Sequence, residues 1–252
     1  MASCPQPLAE FMDLQKIFHT PHTTEQISAL WTGFHTSRSG GTGRGFLSAV
    51  VPLNTYLGLI SKARKFPCFI LPLQCIESSE LQSDGETTKN AYEFYFLQWA
   101  LHSPPLPPMH SPLDYPLPPE VNPSSDVSIA TVLFTPLLEY KTRQTFATPH
   151  LVLTFYTDLA SSHGVVLLRG ELTPSSTGRG DYLLSQHAAQ MLALGLQKFY
   201  LADEASRKVS SGKDDNDFSA GEERAEMLRM FNEQPELFKW EELMKHADPT
   251  SS

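Results

Sequence analysis

Apolar residues recur at helical spacing in seven segments of the chain. In the second segment they occupy positions i, i+3, i+4 and i+7, which form one face of an amphipathic helix; they are Ile27, Leu30, Trp31 and Phe34. A threonine at position 23 or 24 can cap this helix, because its side-chain oxygen accepts a hydrogen bond from an otherwise unpaired amide. The same spacing predicts helices at 8–19, 52–63, 137–141, 183–200, 222–231 and 235–246.

Six shorter runs of apolar residues predict β-strands. In the third run, Tyr92, Phe94 and Phe96 alternate with other side chains and therefore share one face of a strand. Pro72, within the second run, favours an edge strand or a strand end, because proline has no N–H to donate to a neighbouring strand. The strands are predicted at 46–51, 68–73, 92–99, 129–134, 151–157 and 165–172.

The order of helices and strands predicts the fold class. Residues 158–164 form a connection short enough for the last two strands to pair antiparallel. We therefore predict one α+β domain over residues 1–252, with a mainly antiparallel sheet of five or six strands flanked by helices. Glycine-rich, polar, proline-rich and charged stretches predict loop or disordered insertions at 37–45, 77–90, 102–126 and 203–221.

Composition places the chain among globular proteins with one unusual segment. Nine of the 20 prolines lie between residues 104 and 123, so the excess is local and a proline-rich or disordered protein is excluded. The net charge of −9 argues against general affinity for nucleic acid or an anionic membrane, both of which need basic patches. No apolar run is long enough to insert in a membrane, and the first 18 residues lack the features of a targeting peptide.

Neither a metal site nor a cofactor site is indicated. The three cysteines have no C-x-x-C spacing, which disfavours a disulfide framework or a zinc site and is compatible with a reducing compartment. The histidines are scattered and form no H-E-x-x-H motif. The glycine run at 40–45 lacks the lysine of a phosphate-binding loop, so we interpret it as a flexible connection.

Two functions stay open from the residues alone. A Ser/His/Asp site assembled from distant residues, such as His150 with Asp158, would make the protein a hydrolase, although no G-x-S-x-G motif is present. The segment Pro104–Pro108 could form a polyproline helix that docks on an aromatic groove. That second alternative predicts an adaptor protein.

A series of short motifs covers most of the chain. Residues 24–35 (TEQISALWTGFH) are similar to the pattern E-x-I-x-x-I-W-x-x-[YF]-H, with Leu30 in place of the second isoleucine. Further motifs follow in a fixed order: AVVP at 49–52, PCFILPL at 67–73, YEF at 92–94, FTPLLEYK at 134–141, ATPHL at 147–151, HGVVLLRGE at 163–171, QKFY at 197–200 and FNEQPELF at 231–238. In this order and spacing they resemble the mitochondrial ATP synthase assembly chaperones. One departure is Gln74, because that family often has a basic residue after the Leu-Pro-Leu run.

The resemblance implies a non-enzymatic chaperone of the mitochondrial matrix that works without a cofactor, and we expect it to be a monomer. Such a protein holds the unassembled β subunit of the ATP synthase catalytic head and prevents its aggregation until an α subunit replaces it. No targeting sequence is recognisable in this chain, so we expect that segment to be missing from it.

Aromatic side chains on short amphipathic elements are the candidate partner-binding residues. Core packing is the alternative explanation for their spacing, because the buried face of a helix shows the same pattern. If part of this apolar surface is exposed, it marks a partner site. The candidates are Trp31, Phe34, Tyr140, Phe231 and Phe238.

Overall fold

The structure, a computed structural model, describes residues 5–19, 22–75, 91–102, 127–177, 180–201 and 215–246. At its centre is one six-stranded antiparallel sheet with the spatial order β1-β6-β5-β4-β3-β2. Helices flank this sheet, so the predicted α+β fold is confirmed. The strands are β1 (Phe46–Pro52), β2 (Cys68–Cys75), β3 (Ala91–His102), β4 (Ile129–Pro136), β5 (Leu151–Tyr156) and β6 (Val165–Leu172).

Eight α-helices are present in the described residues, together with four short 3-10 helices. The α-helices are α1 (Leu14–His19), α2 (Thr24–Arg38), α3 (Leu53–Lys65), α4 (Leu137–Arg143), α5 (Ala160–His163), α6 (Gln186–Tyr200), α7 (Asp215–Glu233) and α8 (Trp240–Leu243). The 3-10 helices are Leu8–Glu10, Gln144–Phe146, Pro235–Leu237 and Met244–His246.

The strands from β2 to β6 form a meander, since each pairs with the next one along the chain. β1 then lies beside β6, so that β1 and β2 are the two edges of the sheet. Pro72 lies in β2, and the predicted edge position is confirmed. The connection from β5 to β6 contains α5, which ends at Gly164 in the left-handed conformation that glycine adopts without strain.

The larger hydrophobic core lies between one face of the sheet and helices α3, α6 and α7. Cross-strand pairing of Leu97 with Phe134, and of Phe134 with Leu151, places these side chains on that face. Two buried tyrosines also satisfy their polar atoms there, because Tyr56 donates to the Ser128 carbonyl at 2.6 Å and Tyr200 donates to the Phe66 carbonyl at 2.8 Å. This core fixes the sheet against its helices.

A smaller core lies on the opposite face, where α2 and the N-terminal segment cover β5 and β6. Tyr156 pairs with Leu167 across these two strands, which places both side chains on this second face. The buried members of the cluster are Leu8, Ile17, Ile27, Trp31, Tyr156, Leu159, Val165 and Leu167. This smaller core therefore depends on the N-terminal segment as well as on the sheet.

Hydrogen bonds to short polar side chains decide several helix boundaries. Thr23 and Gln26 form a capping box, in which each side chain accepts from the backbone N–H of the other residue, and the predicted threonine cap is confirmed. The helix predicted at 8–19 is interrupted, because the Asp13 carboxylate accepts from the Lys16 N–H at 3.2 Å and so begins a new helix. Ser185 caps α6 in the same way, so this helix begins at 186 rather than 183.

The C-terminal region departs from the sequence prediction in two places. Helix α7 begins at Asp215, so the predicted loop at 203–221 is wrong over 215–221. Its later turns bury Met227 and Leu228 in the larger core. Once those turns are fixed, each added residue gains a hydrogen bond at little cost, and a polar segment can extend the helix. The helix predicted at 235–246 is instead two 3-10 helices on either side of α8.

The structure describes only part of the predicted insertions. The insertion at 37–45 is shorter than predicted, because α2 continues through Arg38. Residues 77–90, 103–126 and 203–214 lie outside the described residues. The proline segment on which the adaptor alternative depends is among them.

Helix α2 carries one buried histidine, and this residue predicts a pH dependence of stability. Burial lowers the pKa of His35 below its usual value, against the hydrogen bond that joins its Nδ1 to the Trp31 carbonyl at 2.8 Å. The unfolded chain, with a histidine pKa of about 6.5, therefore binds more protons than the folded chain just below that pH. We expect the stability that neutral His35 contributes to be lost as the pH falls from 7 to 5.

This pH dependence is measured by urea unfolding of the wild-type protein and His35→Phe at several pH values. The wild-type protein should lose more unfolding free energy between pH 7 and 5 than the variant does. Parallel pH profiles for the two proteins would contradict the prediction.

Candidate partner-binding surface

Trp31, the first predicted partner-binding residue, lies inside the smaller core. Its side chain is fully buried, and its indole N–H donates to the Leu168 carbonyl on β6 at 2.9 Å. The ring also packs against His35 and Tyr156, with centroid distances of 4.3 and 6.2 Å. In this conformation Trp31 holds α2 on the sheet, and a partner reaches it only if a covering segment moves.

Phe34 lies one helical turn further, at the rim of the same core. Its ring is half-buried, and its centroid lies 6.0 Å from that of Phe11 in the N-terminal segment. The guanidinium carbon of Arg38 lies 5.1 Å from the Phe34 ring centroid. Phe34 is therefore partly accessible next to an exposed cation.

Tyr140, on the short helix α4, lies over the same face of the sheet as the smaller core, but at β3. Its half-buried ring packs on Phe96 of β3, with the two centroids 4.3 Å apart. Because α4 directly follows β4, which pairs with β3, the chain topology brings Tyr140 over the half-buried face of β3. Tyr140 is accordingly part of a surface and not of the larger core.

Phe231 and Phe238 act mainly as anchors for the C-terminal segment. Their centroids are 5.1 Å apart, and both rings contact the fully buried Phe69 of β2, at 5.5 and 6.3 Å. Both residues are half-buried and pack against the larger core. They fix the position of the residues that follow, including Trp240.

A row of four aromatic side chains crosses β3 from α8 to α4. We name it the aromatic row; it consists of Trp240, Phe94, Phe96 and Tyr140. Trp240 meets Phe94 edge-on with centroids 6.2 Å apart. Phe94 and Phe96 are two residues apart and therefore neighbours on one face of the strand. Since Phe96 in turn contacts Tyr140, the row is continuous.

The elements that carry the aromatic row also expose large apolar side chains. Leu138 and Phe146, on α4 and the 3-10 helix after it, are 80% and 86% exposed. Leu237 and Trp240 are 58% and 53% exposed at the other end. Contiguous exposed apolar surface in a folded domain marks a site for another protein. The aromatic row with its flanking residues is therefore the candidate partner-binding surface.

Sequence patterns recognised only part of this surface. The alternation of Phe94 and Phe96 predicted that the two rings share a strand face. Which face the helices leave uncovered depends on where α3, α6 and α7 pack, and no local pattern records that. Trp240 is more exposed than Phe231 or Phe238, and no local pattern in the sequence records that difference.

The proposed hydrolase pair is not assembled. His150 precedes β5 and Asp158 follows it, so the intervening strand holds them roughly 20 Å apart. His150 instead lies 3.3 Å from the Tyr95 hydroxyl and 3.9 Å from a Glu139 carboxylate oxygen. Burial lowers the pKa of His150, against the carboxylates of Glu93 and Glu139, which raise it.

Neither a metal cluster nor a membrane-spanning helix occurs in the described residues. Where the coordinates are described, no three His, Cys, Asp or Glu side chains are grouped so that they could hold a metal ion. Each helix in the described part of the chain is too short or too polar to cross a bilayer.

Fold and surface together define a single α+β domain with an exposed aromatic surface of the kind that contacts other proteins. Residues 2–244 match the model of the ATP11 protein family. The chain belongs to this family, and the resemblance found in its motifs is confirmed.

Two curated relatives extend the comparison. The chain is 30% identical over 197 residues to "Protein atp11, mitochondrial" of Schizosaccharomyces pombe, which covers 78% of this chain and 51% of that protein. It is 24% identical over 217 residues to "ATP synthase mitochondrial F1 complex assembly factor 1" of Danio rerio, which covers 85% of this chain and 47% of that protein. The chain thus spans about half the length of these relatives. Both are mitochondrial by name, in agreement with the expected localisation.

Proposed function

We propose that this protein is a non-enzymatic chaperone that binds the unassembled β subunit of the mitochondrial ATP synthase catalytic head. Membership of the ATP11 family and the assembly-factor name of the fish relative support a role in assembly of that complex. The β subunit is the partner that the sequence resemblance implies. The observation that carries the proposal is the aromatic row, because it supplies exposed apolar surface suited to a protein partner.

A subunit released from its complex exposes the apolar face that its neighbour normally buries. Aromatic side chains cover such a face effectively, because each ring buries a large area and loses little conformational freedom. The aromatic row has this character, and its strand and helices hold the rings in place before binding. A preorganised surface gains affinity because fewer side chains must be ordered on binding.

Release follows from competition between two partners for one surface. A chaperone bound more weakly than the α subunit is displaced by mass action when α becomes available. The β subunit then passes from one apolar partner to another with little time free in solution. The net charge of −9 keeps the chaperone itself soluble while it carries an exposed apolar surface.

Co-expression of the full chain with the β subunit tests this proposal. We expect soluble β subunit to be recovered in complex with the chain, and addition of purified α subunit to release the chain from it. Co-expression with the α subunit alone is the control and should give no complex. Equal recovery of both subunits with the chain, or of neither, would overturn the proposal.

A further inference from the structure

Arg169 on β6 is a buried cation with unmade hydrogen bonds. Arg169 is 7% exposed, and its Nη2 donates a hydrogen bond to a Glu171 carboxylate oxygen at 2.7 Å. In the described structure, Nε and Nη1 are buried without a hydrogen-bond acceptor. Burial raises the pKa of Tyr156, and the nearby charge of Arg169 opposes that rise. The Tyr156 hydroxyl does not accept a hydrogen bond from Nε or Nη1 of Arg169. Buried N–H groups without acceptors are costly, so the site is able to accept a further anion.

Phe11 of the N-terminal segment covers this guanidinium. Its ring centroid lies 4.0 Å from the guanidinium carbon of Arg169, a cation–π contact. The same ring meets Phe34 and Tyr156, each with centroids 6.0 Å apart. Phe11 thus separates from solvent a recess that contains one cation and several aromatic rings.

We name residues Pro5–His19 the N-terminal strap. Its backbone hydrogen bonds in the described structure stay within the strap, as from Phe11 and Met12 to Leu8 and from Ile17 to Asp13. Contact with the rest of the protein comes from apolar side chains, chiefly those of Leu8, Phe11 and Ile17. A segment held only by side-chain packing can leave without breaking the β-sheet ladder, and such segments are among the first to open.

Two arginines lie around the recess beneath the strap, in a protein whose net charge is −9. Arg169 lies at its floor, and Arg38 lies over the Phe34 ring at its rim. Arg169 and Arg38 both lower the pKa of the buried His35, which places that ring in the same positive field. The carboxylates of Glu171 and Asp158 offset this charge around Tyr156, but neither accepts a hydrogen bond from Nε or Nη1 of Arg169. A partner segment with a carboxylate next to an apolar side chain complements such a recess. The carboxylate accepts from the N–H groups of Arg169, and the apolar side chain packs on the aromatic rings.

We propose that the N-terminal strap is displaced when the chain binds the unassembled β subunit, and that Arg169 then receives a carboxylate of the β subunit. This inference rests on the proposed function. The strap occupies the recess in the free chaperone and the β subunit occupies it in the complex. Trp31 and Phe34 then become part of the binding surface, although the strap covers them in the free protein.

The test begins with hydrogen exchange of the unmodified full chain, alone and in complex with purified β subunit. We expect the amides of residues 8–19 to be protected in the free chain and to lose this protection in the complex. Protection that stays the same or increases on binding would overturn the inference. Because it needs no variant, this measurement stays decisive even if a substitution prevents folding.

Affinity measurements with two variants complete the test. Phe11→Ala weakens the packing of the strap over the recess, so the recess is open in a larger fraction of the molecules. This variant should therefore bind the β subunit about fivefold more tightly. Arg169→Met should bind about tenfold or more weakly, with a melting temperature no lower than that of the wild-type protein, because an incompletely paired buried cation adds little stability. The control is Gln15→Ala, a change at an exposed strap residue that should leave affinity unchanged.

Two outcomes separate this inference from the proposed function. If the wild-type chain binds the β subunit but neither Phe11→Ala nor Arg169→Met changes the affinity, the strap inference is wrong and the chaperone function stands. If the wild-type chain does not bind the β subunit, the proposed function is wrong and the inference fails with it.

Discussion

Trp31→Ala lowers the free energy of unfolding by about 3–5 kcal/mol, the range for removal of a fully buried tryptophan side chain. The residue has no exposed surface, and its indole N–H is bonded to the Leu168 carbonyl at 2.9 Å. Alanine removes the ring, leaves a cavity between α2 and the sheet, and leaves the Leu168 carbonyl without its donor. Urea denaturation followed by circular dichroism measures the loss.

The neighbouring Leu30 offers a matched control for this prediction. It lies on the same helix but is 49% exposed, so Leu30→Ala should change stability by less than about 1 kcal/mol. Similar losses for the two variants would mean that α2 does not pack on the sheet through the Trp31 face.

The second large effect is expected on binding rather than on stability. Replacing both Trp240 and Tyr140 by alanine truncates the two ends of the aromatic row. Truncation of a contacting interface residue often costs about 1 kcal/mol or more, so loss of both rings should cost about 2 kcal/mol and lower affinity for the β subunit by about 30-fold. The melting temperature should change little, because one ring is 53% exposed and the other is half-buried. Titration of the labelled chain with β subunit measures the affinity.

Leu57→Ala is the control for the aromatic row. Leu57 is 44% exposed on α3, which packs on the other face of the sheet. Its substitution removes a comparable exposed apolar side chain outside the candidate surface and should leave binding unchanged. If the double variant binds as tightly as Leu57→Ala does, the aromatic row is not the partner-binding surface.

These two predictions place Trp31 and Tyr140 in different roles, although both are aromatic residues of amphipathic helices. The periodic pattern around each one predicts a helix with an apolar face. It does not reveal whether that face meets the sheet or the solvent. For Trp31 the face meets β6, and for Tyr140 it meets a strand whose surface is only partly covered.

Secondary structure was the most predictable level of this fold. Alternating and helical patterns located all six strands and the longer helices α2, α3 and α6, because these elements bury one regular face. Predictions failed where a single hydrogen bond or distant packing decides the outcome. The Asp13 cap divides the first helix, and the burial of Met227 and Leu228 supports a helix whose first turns are polar.

The chain's family, its fold class and the six strands could be recognised from the order and periodicity of its residues. Those properties are encoded locally, in motifs and in the repeat of apolar positions along each element. The aromatic row and the strap over Arg169 emerge only when α4, α8 and the N-terminal segment are placed on the sheet. Exposure of a side chain depends on which elements pack above it, and residues distant in sequence decide that packing.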